Sequence, residues 1–548
     1  GASMTSFAAT GWVEENGTWV YYNRDGELAT NEWKKSGNSW YWLDDNGEMA
    51  IDQLIEDDDD YYYVDINGVM ATNQWVAIEN EEAGQDDEPD QNWYYFQANG
   101  KALTNGSNDH VALKTINGKK YAFDDEGKML WGWVNADSAE HIDNTDGDAF
   151  KEGDYYFGSS DDGAMTVGWL QMDITYEEAT SDYEISPVFN DDEDQTRWFY
   201  FKSNGKKVKA EDGDYQKGRT INGRKYEFDE YGAMTAEWSL DKNEVGTSSL
   251  ASEYSTASDN SVIAKYAQQW RYFNSVEDGS RVSKGWFKVV AAEWLNYDKY
   301  NDDEDAWYYA DGSGNLYAGE FKTIKGKKYA FRNDGRMVDG LKFIKDLDGE
   351  LDVQADDSDM GHFDTEDDFL ENAPKYDKAE YYCYYFGDAE DGAMKTGRTT
   401  IEIDGENFTF NFETSGSKKG RGTTGVDDDK IYQSGMLLKA GSDEKYQVVK
   451  QDLTNETFTK LDDAEDFLDE WDLKAVSPYD VDLAALGITR KAEDIDELYI
   501  IPKYDKDKYT LVNTSGKIID RKSRNKDGND FIYCVDASGV IKAIYTEQ

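Results

Sequence analysis

The chain has 548 residues and a net charge of −58, from 57 basic and 115 acidic side chains. That balance argues against binding to nucleic acid or anionic lipid, which both favour positive surface. Aromatics make up 14% of the residues, so rings must supply much of any core. No apolar stretch approaches the length of a membrane span.

From residue 12 the chain repeats itself. Trp12, Trp33 and Leu54 are followed seven residues later by Trp19, Trp40 and Tyr61, and seven later again by Gly26, Gly47 and Gly68. The period is 21 residues, the mark of a repeat architecture. Each unit predicts a β-hairpin. An aromatic run such as Trp19-Val20-Tyr21-Tyr22 favours a pleated, half-buried surface. A polar turn ending in Gly26, Gly47 or Gly68 follows. A short return strand ends near Leu28, Met49 or Met70. Side chains alternate along a strand, so one ring of each run packs inward while its neighbour faces a groove or solvent.

Beyond residue 75 the spacing lengthens. A second hairpin type lacks Trp: 115–123 (Thr-Ile-Asn-Gly-Lys-Lys-Tyr-Ala-Phe), with relatives at 220–228, 323–331 and, more loosely, 402–410. A third type joins Tyr155-Tyr156-Phe157-Gly158 to Asp162-Gly163-Ala164-Met165, and returns at 384–387 and 391–394. The three types recur with a period of about one hundred residues, which suggests duplication of a multi-hairpin block. The expected fold is all-β: an elongated solenoid of stacked β-hairpin repeats with irregular and partly helical insertions. Regular repeats occupy 1–75, the array continues over 76–440, and 441–548 holds degenerate terminal repeats.

Acidic stretches at 57–60, 79–90 and 191–194 read as insertions between repeats. So do 240–269 and 346–379. Within 457–488, Leu461, Ala464, Phe467, Leu468 and Trp471 are spaced as one helix face, and Leu483, Leu486 and Ile488 suggest a second short helix after Pro478. The closing 509–516 and 531–539 read as two degenerate hairpins that cap the array. Gly1-Ala2-Ser3-Met4 reads as a cloning remnant, so a signal peptide or anchor is not excluded.

Catalytic patterns are missing from the sequence. His110, His141 and His362 are isolated and read as surface residues, with no local nucleophile–base arrangement. Cys383 and Cys534 make neither a disulfide framework nor a metal site. The stretches 143–148 and 525–530 resemble calcium loops but lack the EF-hand ligand spacing, so Asp/Gly turns are expected. No cofactor or metal is called for.

The aromatic repeat is the strong signal. Thr10-Gly11-Trp12-Val13, then Asn16-Gly17-Thr18-Trp19-Val20-Tyr21-Tyr22, Asp25-Gly26 and Leu28-Ala29-Thr30 closely resemble the choline-binding or cell-wall-binding repeat of Gram-positive surface proteins. Related repeats occur in glucan-binding regions and clostridial toxin tails. The resemblance implies a superhelical stack of hairpins with ligand sites between neighbours. It implies one cage of Trp12 and Trp19 with Tyr41 and Met49, and a second of Trp33 and Trp40 with Tyr62 and Met70. A quaternary ammonium has no hydrogen-bond donor, so ring faces must recognise it. Several departures weaken the pattern elsewhere. Leu54 replaces a cage Trp, Val20 replaces an aromatic, the second hairpin type cannot supply two indoles, and inserts separate Trp75 from Trp93 and Trp169 from Trp198.

A glycan is the close competitor, with Trp12, Trp33, Trp93, Trp133, Trp169 and Trp286 as stacking platforms. The expected task is non-catalytic attachment, secreted or at the cell surface, to a choline-bearing cell-wall polymer or polysaccharide. A rival is an adhesin that grips a host protein through its acidic insertions. A third reading is a targeting module whose enzyme lies outside this sequence.

Overall fold

The computed structural model describes residues 10–176, 193–210, 216–240, 262–354, 360–461, 464–470, 472–503, 506–521 and 524–548. The chain divides into two compact units, 1–243 with 272–281, and 244–271 with 282–548.

In the first unit the strands Gly11–Glu15 and Thr18–Tyr22 pair antiparallel, with Trp12 opposite Tyr21 and Glu14 opposite Trp19. Their tip is Asn16-Gly17, with φ of 53° and 79°. Two positive-φ residues match the twist of the flanking strands, which is why Asn-Gly sits there. The repeated glycine turn has a different role from the one the sequence suggests. Residues 23–26 do not form the hairpin tip but the link to the next hairpin: Gly26 N–H donates to the Asn23 carbonyl at 3.0 Å, and Tyr22 bridges to Leu28.

Those links stack the hairpins. Met49 N–H donates to the Trp19 carbonyl, Met70 to Trp40, Ala102 to Tyr61 and Met129 to Trp93, each at 2.8 Å. Each of these links thereby satisfies an edge carbonyl of an earlier hairpin. In several later links the glycine then lies against the methionine before it. A Cβ on Gly100 would stand 2.4 Å from Met70 Sδ, and one on Gly205 2.2 Å from Met165 Sδ.

Two acidic insertions are parts of hairpins. Asp58-Asp59 is itself a tip, with φ of 52° and 66°, and Asp57 stands opposite Asp60. The stretch 79–90 extends the tip between Gln74–Glu79 and Gln91–Phe96. It therefore joins Trp75 and Trp93 on one hairpin, with Trp75 opposite Tyr95 and Ala77 opposite Trp93. Gly168–Tyr176 and Glu193–Phe201 do the same for Trp169 and Trp198. Residues 191 and 192 of the third acidic stretch lie outside the described residues.

The second hairpin type forms as expected. Lys114–Ile116 pairs with Lys119–Tyr121, Gln216–Ile221 with Arg224–Phe228, Glu320–Ile324 with Lys327–Phe331, and Gly397–Ile403 with Glu406–Phe412.

In the second unit the hairpins give way to wider sheets of three, five, three and four strands. The acidic stretch 346–379 is not merely an insertion: Glu366–Lys378 is a helix whose Phe369, Leu370, Ala373 and Tyr376 are buried. Thr365 caps it, accepting from Asp368 N–H at 3.1 Å, and three acids in its first turn face the positive end of the helix dipole. The expected helix within 457–488 is shorter. Thr457–Lys460 is a strand, Ala464–Glu470 is helical, and Leu483 and Leu486 lie in turns. Trp471 and most of 240–269 lie outside the described residues. Residues 509–512 form no local hairpin, because Asp507–Asn513 pairs with distant Tyr446–Asp452. Ile532–Val535 and Ile541–Glu547 do pair.

Candidate site between stacked hairpins

The stacking brings together residues far apart in sequence. At the first junction, Trp12 and Trp19 come from one hairpin, Tyr41 from the next, and Met49 from the link that follows. These four, with Ser36 and Asn67, line a groove of about 330 Å³. Trp12 meets Tyr41 edge-on, with ring centroids 5.3 Å apart at 73°, and Tyr21 at 5.4 Å and 79°. Trp19 is 43% exposed, so its face remains open.

The second junction repeats the geometry. Trp33 meets Tyr62 at 5.0 Å and 62°, Trp40 is 40% exposed and Tyr62 is buried. Trp33 and Met70 here pack against a small core of Trp42, Ala50, Ile55, Tyr62 and Val64. Ring faces at both junctions already attract the chain's own ammonium groups. Lys34 Nζ lies 5.0 Å from the Tyr21 ring and Lys35 Nζ lies 5.9 Å from Trp40, within the reach of a cation–π contact.

Three further junctions have the same composition; the sequence points to Trp93, Trp169 and Trp286 among them, but not to the tyrosines and methionines that complete them. Trp75 meets Tyr121 at 4.9 Å, Trp169 meets Tyr226 at 4.9 Å and Trp286 meets Tyr329 at 4.8 Å. Their second indoles are Trp93, Trp198 and Trp307. Their methionines are Met129, Met234 and Met337, whose N–H groups donate to those three indole residues' carbonyls. The hairpins without Trp thus serve as the second half of a junction. A usable signal was present: Tyr41, Tyr62, Tyr121, Tyr226 and Tyr329 each precede a methionine by eight residues. Val20 also does not weaken the first cage, because the register gives that ring position to Tyr41 of the following hairpin.

Leu54 does end the pattern locally. Its junction is filled by Tyr61, Tyr63, Tyr94, Phe96 and Ala102. Trp133 is the clear correction among the expected platforms. It is 2% exposed, packed edge-on against Tyr156 and Phe199, and offers no face to a glycan.

Other candidates resolve into structural parts. His141 is not a free surface residue: its ring stacks on Trp131 at 4.0 Å, and its nitrogens meet the Trp131 carbonyl at 2.6 Å and Asp87 Oδ2 at 2.7 Å. Asp87 thereby ties the 79–90 extension to the next hairpins. In the calcium-like stretches, Asp143 Oδ1 accepts from Thr145 N–H and Asp527 Oδ1 from Asn529 N–H, both at 2.9 Å. These are Asx turns.

The link turns also set a pH response. Asp124 Oδ1 accepts from Glu126 N–H at 2.9 Å and Lys128 N–H at 2.8 Å, yet burial outweighs these bonds and pushes its carboxyl up to about 6. A raised carboxyl pKa gives stability that is full below the unfolded value and is lost as pH rises through the folded one. Between about pH 4 and 7, Asp124 therefore weakens its link. Asp124→Asn, which keeps the acceptor, is expected to raise the thermal midpoint at pH 8 by roughly 2–4 °C and change it little at pH 4. Calorimetry at the two pH values checks this.

Serial β-hairpins joined by aromatic junctions define a class of hairpin-repeat protein. Residues 10–28, 31–49 and 90–102 match the putative cell wall binding repeat, and the chain carries repeats of that choline-binding kind. Over 274 residues it is 26% identical to glucosyltransferase-S of Streptococcus mutans, covering 46% of this chain and 16% of that protein. Among solved structures it is similar to the modular autolysin LytC of Streptococcus pneumoniae, at 19% identity over 61% of this chain and 54% of that one, with a TM-score of 0.29. It is also similar to choline binding protein F of the same organism, at 17% identity over 78% and 99%, with a TM-score of 0.21. The chain thus spans about half of the autolysin and a sixth of the glucosyltransferase. Among the described residues no helix is long and apolar enough to cross a membrane.

Proposed function

We propose that this chain is a non-catalytic attachment protein of a bacterial cell surface, holding choline-bearing cell-wall polymer through the aromatic junctions. The observation that carries this reading is the first groove, where two indoles, one phenol and a thioether surround a space with one open indole face. Such a lining suits a diffuse positive charge, which needs ring faces and no donors. Several junctions of similar composition on one chain raise avidity without any deep pocket. The surrounding negative charge adds long-range attraction for a cation, reduced by salt.

A ligand that binds only the folded state raises its melting temperature. Millimolar choline is expected to protect the chain against heat, and Trp19→Ala with Trp40→Ala is expected to reduce that protection. Unchanged melting in both proteins at saturating choline would remove the choline reading. The glycan reading is favoured by the flat exposed indoles of Trp19 and Trp40. It expects retardation in gels that contain a soluble polysaccharide, and free migration through a broad panel counts against it.

A further inference from the structure

The Trp133 junction departs from the shared pattern in a different way from the Leu54 junction. In the hairpin of Trp133–Val134 and Tyr155–Tyr156, Trp133 stands opposite Tyr156, as Trp12 stands opposite Tyr21. Lys207 N–H donates to the Asp154 carbonyl at 2.8 Å, as Met49 N–H donates to Trp19. The register therefore puts Asp154 in the place of Trp19, Phe199 in the place of Tyr41 and Lys207 in the place of Met49. Ring geometry agrees. Trp133 meets Phe199 at 5.2 Å and 70°, against 5.3 Å and 73° for Trp12 and Tyr41.

The lysine stem keeps the packing role of the methionine. A Cβ on Gly232 would meet Lys207 Cδ at 2.9 Å, as one on Gly68 would meet Met49 Sδ at 2.9 Å. Its ammonium does something new. Nζ lies 5.4 Å from the Trp133 ring and donates to the Phe150 carbonyl. Lys207 is 4% exposed and Phe150 is fully buried. A charge so deep persists only with partners, and here they are an indole face and a carbonyl oxygen. Asp154 is occupied elsewhere, accepting from Ala136 N–H at 2.8 Å and lying 3.6 Å from Lys209.

We propose that the Trp133–Phe199 junction is a cation cage whose ligand is the chain's own Lys207 ammonium, so that it is closed to quaternary ammonium from outside. Burial pushes this ammonium down to about 7, aided by Lys209 and opposed by Asp229 and Asp154. Tests therefore belong at pH 6, where it is charged.

The first test uses the full wild-type chain without any added ligand. The ε-methylene protons of Lys207, assigned by their loss in Lys207→Met, are expected upfield of all exposed lysines, because they lie over an indole. Unshifted protons would overturn the proposal. The second test is chemical rescue of Lys207→Ala. n-Butylammonium is expected to recover more of the lost melting temperature than n-butanol, and to do so more than in wild type. Equal recovery by the alcohol, or none by either, would also overturn it. If Lys207→Ala does not fold, the proton shifts decide. Failure of choline binding at the other junctions would sink the attachment reading and leave this inference standing.

Discussion

Trp133→Ala is expected to cost about 3–5 kcal/mol of stability, the range for emptying a buried aromatic site. The ring is 2% exposed and packs against Tyr156, Phe199 and Phe201. The same truncation at Trp19, which is 43% exposed, is expected to cost under about 1 kcal/mol. Ligand affinity should show the opposite order. Trp19→Ala loses one wall of an open cage, a cation–π contribution of about 1–2 kcal/mol, or roughly a tenfold weaker site. Trp133→Ala should leave that site's affinity unchanged. Urea unfolding and choline titration on both variants read the two effects separately.

Gly100→Ala is the second large effect. Gly100 has φ of +84°, and a Cβ there would lie 2.4 Å from Met70 Sδ and 2.7 Å from Met70 Cε. Backbone strain of about 1–3 kcal/mol adds to displacement of the thioether that lines the second junction. The expected result is a loss of at least about 2 kcal/mol together with weaker binding at Trp33 and Trp40. Met70→Ala in the same chain should relieve the contact and leave only the backbone part. Full recovery in the double variant would mean that φ carries no cost here.

The sequence made the hairpins legible, because aromatic runs and Asn-Gly pairs report local geometry. The 115–123 type is legible as a hairpin for that reason. It did not make clear which glycine ends a hairpin and which links two. Gly17 and Gly26 both take positive φ, and only the pairing of Trp12 with Tyr21 decides between them. The same ambiguity made 79–90 look like a barrier between Trp75 and Trp93, when a long tip leaves the strands beneath it paired. The first cage was legible as Trp12, Trp19, Tyr41 and Met49 because its period is regular. Its relatives at Tyr121, Tyr226 and Tyr329 were hidden by variable tips, although the eight-residue step from tyrosine to methionine survives. The burial of Trp133 was not legible, since it depends on Phe150 from the hairpin tip and Lys207 from the following link. The wide sheets after residue 340 are set by pairings as distant as Tyr446 with Asn513, which no local pattern encodes.

The central claim is that ligand enters the first junction through its open indole. Fluorine NMR of the chain labelled with fluorotryptophan, titrated with choline, tests it most directly. The expected result is that the Trp12 and Trp19 resonances, assigned by single substitutions, move together and saturate while Trp133 stays fixed. Movement of Trp133 with Trp12 and Trp19 unchanged, or no movement at any of them, would contradict the account.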